Sequence, residues 1–297
     1  MNKMKYILAA TIVLFLLASC NGGKTDIKQP SIVSGISLSD SFITNESLEN
    51  IYYMFPSPAN VLTTIKEGGL VYESSLLNSV ENREKYVKPS DQCLNLGVYL
   101  ADLSYCALFS RNSDAQRYLE TIKRMSNGLN LGSVINKGII DKLKDKNYSV
   151  DSLVNLSDEF FFKLVADLED NNRHNELAII SVGAYIECLY LSTNCIKNTK
   201  ENKLIQNKIA EQKSVFNNLY MYCKKYIPSE ELKKTFSYIE QINDAFGQFS
   251  QQKNDVKVTA KSKNQLTFSG GDTPAVKDSE FIKFKESITN IRMSITK

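Results

Sequence analysis

Two carboxylates stand in the sequence where charge has no obvious place. Asp102 lies inside LNLGVYLADLSYCALF (94–109), and Glu187 inside LAIISVGAYIECLYLSTNC (177–195). Each stretch is apolar around nearly every side of a helix, which assigns it to the middle of a core. A lone buried carboxylate is very costly, so each acid must be paired, hydrogen-bonded or functional. Two acids brought together can run glycosidase-type acid–base chemistry without any histidine. The two stretches also resemble each other: Gly97-Val98-Tyr99-Leu100-Ala101-Asp102-Leu103 compares with Gly183-Ala184-Tyr185-Ile186-Glu187-Cys188-Leu189. One reading makes Asp102, Glu187, Tyr99 and Tyr185 a ligand-binding constellation shared by two half-sites. The other makes them structural, each acid satisfied by a tyrosine, an arginine or a helix cap, as buried polar groups generally are. On both readings Gly97 and Gly183 mark a close helix contact, because glycine inside a helix costs about 1 kcal/mol against alanine.

Other chemistries are poorly served. A metal centre in a helical bundle needs Glu-x-x-His pairs, and the only histidine, His174, has no glutamate three residues before it. No Cys-x-x-Cys or second histidine offers a zinc site. A hydrolase triad lacks its nucleophile elbow, and no phosphate loop is present. No metal, cofactor or catalytic residue is therefore expected. Beyond Cys20 the cysteines are Cys93, Cys106, Cys188, Cys195 and Cys223, all within apolar helical stretches. They read as core thiols or as one disulfide with thiols left over, since spacing alone cannot fix a pairing. The 15 tyrosines fall mostly on apolar helices and need partners for their hydroxyls.

The elements that must position these residues are helices. Ser57-Pro58 opens one that stops at Gly68-Gly69, after a first helix bearing Leu48, Ile51, Tyr52 and Phe55. Ser90 is expected to cap the Asp102 helix. Ser113 with Gln116 forms a capping-box pattern for a helix closing at Asn127-Gly128. Helical periods continue over 132–146 and from Asp151 or Ser152 to Leu168. The Glu187 helix follows, then two long amphipathic helices, about 203–226 and 229–251, joined at Ile227-Pro228-Ser229. Short alternating runs around Val256–Thr259 and Gln265–Phe268 predict a small hairpin, and a last helix covers about 278–294. The fold class is all-α: a multi-helix bundle of about nine helices with a small C-terminal β-hairpin.

The start of the chain, MNKMKYILAATIVLFLLASC, has a positive region at Lys3 and Lys5, a short apolar run and a small-residue site ending in Cys20. That is the layout of a signal peptide, too short for comfortable spanning, and its end resembles the lipobox of bacterial lipoproteins. The resemblance implies cleavage before Cys20 and acylation of its thiol and amine, such as by palmitate. Several chains give durable anchoring. Residues 1–19 are then the signal, 20–44 a flexible tether and 45–297 a single helical domain. With Lys3 and Lys5 removed the formal charge falls from +3 to +1, which leaves no electrostatic case for nucleic acid. No second apolar run is expected to span a membrane.

Met54-Phe55-Pro56-Ser57-Pro58, the Leu94–Leu103 segment and Gly183–Glu187 together resemble a group of helical lipoproteins from Bacteroidetes. That group implies location and fold and transfers no catalytic residue. The residue after Cys20 is Asn21, without an inner-membrane retention aspartate or an acidic surface-export cluster. The expected place is the outer membrane, lipid-anchored, on the periplasmic face. The expected role is a non-enzymatic interaction module whose partner is an envelope protein or small ligand. The alternative is a ligand-binding or enzymatic pocket built on Asp102 and Glu187.

Overall fold

Sixteen of the twenty residues of one helix, Cys93 through Leu108, are buried without interruption. No amphipathic surface helix looks like that, and the chain wraps its other elements around this one. The computed structural model describes residues 55, 57–132, 150–227, 232–252, 257–262, 265–269, 273–274 and 276–297, the side chains of 150–152 and 251–275 excepted. Among these, nine α-helices follow in order: α1 Pro58–Lys66, α2 Pro89–Leu108, α3 Asn112–Gly128, α4 Val150–Asp170, α5 His174–Asn194, α6 Lys203–Glu211, α7 Lys213–Tyr226, α8 Lys233–Gly247 and α9 Asp278–Ile295. The protein is mostly helical, and residues Glu46–Lys297 cluster as one unit.

The central pair is α2 against α5. Helices α1, α3 and α4 pack around α2, while α7 and α9 pack on α5 and α8 lies against both α7 and α9. By length and composition α5 alone among the described helices could cross a bilayer, and 89% of its apolar window is buried inside the fold. Its hydrophobicity serves the core, as expected of a helix apolar on nearly every side.

Local sequence explains most boundaries. Ser57 caps α1 by accepting the Asn60 amide at 3.1 Å, and its hydroxyl donates to Asp158 on α4. Pro58 sits at the first helical position, where its missing N–H costs nothing. The caps expected at Ser90 and Ser113 are not used: α2 starts two residues early at Pro89 and α3 likewise at Asn112, both without a side-chain cap. The helix expected over 203–226 is broken at Gln212 into α6 and α7. At the break the Gln212 carbonyl accepts both the Phe216 amide at 2.9 Å and the buried Tyr185 hydroxyl at 2.8 Å.

The expected helices over 48–55 and 132–146 lie largely or wholly outside the described residues, as does the Pro228-Ser229 hinge. The expected β-hairpin is not supported as part of this fold. Backbone pairing runs between Lys257–Ser262 and Gln265–Ser269, but no helix packs substantially against either strand. A two-stranded ladder with no face to bury is marginal in water.

Candidate functional site

Gly97 and Gly183 bring α2 and α5 together. A Cβ on Gly97 would stand 1.9 Å from the Ile180 carbonyl oxygen, and one on Gly183 would stand 1.8 Å from that of Leu94. Backbone therefore touches backbone, a spacing only glycine allows. Because the helices cross so closely there, Asp102 and Glu187, one turn further along each, face each other.

Both carboxyls are fully buried. Arg292 reaches in from α9 and grips Glu187 with two bonds, Nε to Oε2 at 3.0 Å and Nη2 to Oε1 at 3.2 Å. Its guanidinium lies 4.5 Å from the ring centre of Tyr190, and Nη2 also donates to the Leu76 carbonyl at 3.4 Å. Such a planar fork on a carboxylate suits arginine alone. Asp102 receives one donor, the Asn78 amide on Oδ2 at 3.2 Å. Its other oxygen, Oδ1, has no protein donor, and the two carboxyls lie within hydrogen-bonding reach of one another.

The titration of the pair follows from this. Burial raises Asp102 well above the carboxylate range and the neighbouring Glu187 charge raises it further, against smaller opposing pulls from Arg292 and the Asn78 amide. Burial also raises Glu187, but Arg292 and the hydrogen bond from Asp102 both draw it back down. The two acids are thus coupled: burial raises both, and Arg292 holds Glu187 lower than burial alone would. Ionising both acids beside one guanidinium would leave net negative charge in a buried setting, which such an interior disfavours.

Over the cluster lies an irregular strap, residues 70–88, with two short 3-10 turns at Ser74–Leu76 and Val80–Lys85. Irregular backbone needs partners for its N–H and C=O groups, and helix side chains supply them. Tyr99 Oη donates to the Ser79 carbonyl at 2.8 Å and Tyr118 Oη to that of Asn78 at 2.9 Å. Tyr105 Oη donates to the Val71 carbonyl at 2.5 Å and accepts the Glu73 amide at 2.9 Å. With Asp102 on the Asn78 amide and Arg292 on the Leu76 carbonyl, polar groups from three helices hold the strap. Burial raises the hydroxyl pKa of Tyr99, Tyr105 and Tyr118 far beyond the ordinary phenol, so all remain donors.

The sequence-derived candidates thus separate. Asp102, Glu187 and Tyr99 belong to one buried network, with Gly97 and Gly183 beside it. Tyr185 lies elsewhere, with its ring against Phe216. It lines an apolar cavity of about 20 Å³ with Ser181 and Cys188, which is room for one water. Neither Asp102 nor Glu187 lines a described cavity. Cys20 is outside the described residues.

Arg292 was not singled out from the sequence. Its signal was faint but present, since it falls on the apolar stripe of α9 between Ile288 and Ile295, both buried. His174 stands at the start of α5, its Nδ1 3.2 Å from Glu169 Oε2 and 3.4 Å from Tyr222 Oη, and its ring stacks on Tyr226. Among the described residues no group of three or more His, Cys, Asp or Glu side chains is placed to hold a metal ion. The five described cysteines are buried free thiols. Comparison of the chain with protein-family models, with curated proteins and with solved structures returned no match to any of the three.

Proposed function

We propose that this chain is an exported lipoprotein, anchored through Cys20 to the outer membrane on its periplasmic side, whose helical body works as a binding module rather than as an enzyme. The proposal keeps the resemblance to helical Bacteroidetes lipoproteins as its taxonomic frame. One observation carries the non-catalytic part: the two acids best suited to chemistry are fully buried, Glu187 against Arg292 and Asp102 against the strap backbone. A general acid or nucleophile must reach substrate, and these reach only protein. The signal layout before Cys20 supports the anchor, since a short apolar run ending in small residues and cysteine suits cleavage and acylation.

Fractionation of cells expressing the chain and its Cys20→Ala variant tests the anchor. The parent should sediment with outer membranes and the variant should be released in soluble form; a variant that stays bound with unchanged mobility overturns the anchor. For the non-enzymatic reading, turnover of an envelope substrate that is lost in a folded Asp102→Asn chain would be decisive against it.

A further inference from the structure

The C-terminal end of α5, the turn that follows it and one face of α9 enclose an open groove of about 630 Å³. That volume lies within the range of small-molecule sites. Its walls are neither apolar nor of one charge. Asn194, Thr199, Thr289 and Asn290 present amides and hydroxyls, Ile196 and Ile282 add apolar surface, and Lys197, Lys200, Lys285 and Glu286 add charge. Asn194 Nδ2 donates to Thr289 Oγ1 at 3.1 Å, which ties the two walls at the floor.

Lys285 is the unusual member. It is partly buried, and its Nζ is steered by a single bond to the Ile196 carbonyl at 3.0 Å. No carboxylate among the described residues pairs with it, whereas Lys197 reaches Glu73 at 3.7 Å. Burial pulls the Lys285 pKa down, and the nearby Cys195 thiol offsets only part of that pull. A held, partly dehydrated ammonium without a counter-charge is unfavourable in the free protein and favours an incoming anion. The neighbouring amides, hydroxyls and Glu286 carboxylate suit hydroxyl groups rather than a bare ion.

We propose that this groove binds a hydroxylated organic anion, its phosphate or carboxylate seated on Lys285 and its hydroxyls on Asn194, Thr289, Asn290 and Glu286. The same chemistry is offered by a free sugar phosphate and by a glycerophosphate lipid headgroup. The inference rests on reading the chain as a binding module, and names the ligand class for it.

The test uses the full chain carrying Cys20→Ala, so that no acyl anchor binds lipid on its own account. Glucose 6-phosphate is titrated calorimetrically, and sedimentation is followed with phosphatidylglycerol vesicles and with phosphatidylcholine vesicles. Saturable binding of glucose 6-phosphate, weakened at least about tenfold by Lys285→Gln and retained by Lys285→Arg, supports the site with a free ligand. Lys285-dependent capture by phosphatidylglycerol vesicles alone supports it with the headgroup as source. Absence of Lys285-dependent binding in both arms overturns the site, and inorganic phosphate binding as tightly as glucose 6-phosphate overturns the ligand class. Thermal melts accompany each variant; if Lys285→Gln lowers the melting point, Asn290→Ala on the exposed rim takes its place, with the same loss expected. Fractionation reads the anchor and calorimetry reads the groove, so either can fail without the other.

Discussion

Three costs converge on ionising Asp102: full burial, a single donor among the described residues, and the neighbouring Glu187 charge. A carboxyl whose native pKa is raised binds more protons folded than unfolded, so stability falls as pH rises from the unfolded value upward through the native one. Asp102→Asn mimics the protonated acid and should flatten that fall. Urea midpoints at pH 5 and pH 8 test this: the parent should lose more between the two than the variant, and equal losses would mean that Asp102 is ionised. Removing the cation acts the other way. Arg292→Met leaves Glu187 buried and unpaired and should cost about 3–5 kcal/mol at pH 8. The cost should shrink at pH 5, where Glu187 can take up a proton. Both acids were legible in the sequence because charge inside an apolar run is conspicuous. Arg292 was only faintly so: its place on the apolar stripe of α9 marks it as inward, but nothing in the sequence says which acid it meets.

At the scale of elements, the α2–α5 crossing depends on two absent side chains. Gly97→Ala would gain helix propensity but would force its methyl against the Ile180 carbonyl, and overpacking of this kind costs about 1–3 kcal/mol. We expect a net loss of stability in thermal unfolding; a stabilised variant would show that the helices can slide apart freely. The repeated Gly-x-Tyr pattern made this contact readable in advance, although the two tyrosines diverge, Tyr99 to the strap and Tyr185 to Gln212. Helix ends were less readable. Ser113 has the spelling of a cap, yet α3 begins before it because Arg111 has already turned, its amide bonding back to the Cys106 carbonyl at 2.8 Å. The strap had no periodicity to read, since its order comes from side chains on elements distant in sequence.

For the molecule as a whole, five described cysteines remain thiols inside a chain that we propose to be exported. Burial pushes the Cys93 thiol up to about 12 and raises the other four as well. Thiolate, the reactive form, is therefore scarce, and access is blocked. A thiol reagent at neutral pH should label none of these five in the native chain within minutes and all five after denaturation. Prompt native labelling would place at least one of them at the surface. Composition alone left the choice between thiols and a disulfide open, because cysteines spread over different helices do not reveal which pairs can meet.

The salt bridge between Glu187 and Arg292 joins residues 105 positions apart, and this separation orders events in time. A chain delivered from its N-terminus can bring α2 and α5 together well before α9 exists. During that interval Glu187 has no cation, and the strap lacks the Arg292 donor that reaches the Leu76 carbonyl. The acid pair must then either hold two protons or stay wet, and the strap stays loosely held. Packing of α9 supplies the charge and fastens the strap at Leu76. Contacts that span so much of the chain carry a high loop-closure cost and slow folding. α9 is thus the helix that sets the charge balance of the cluster.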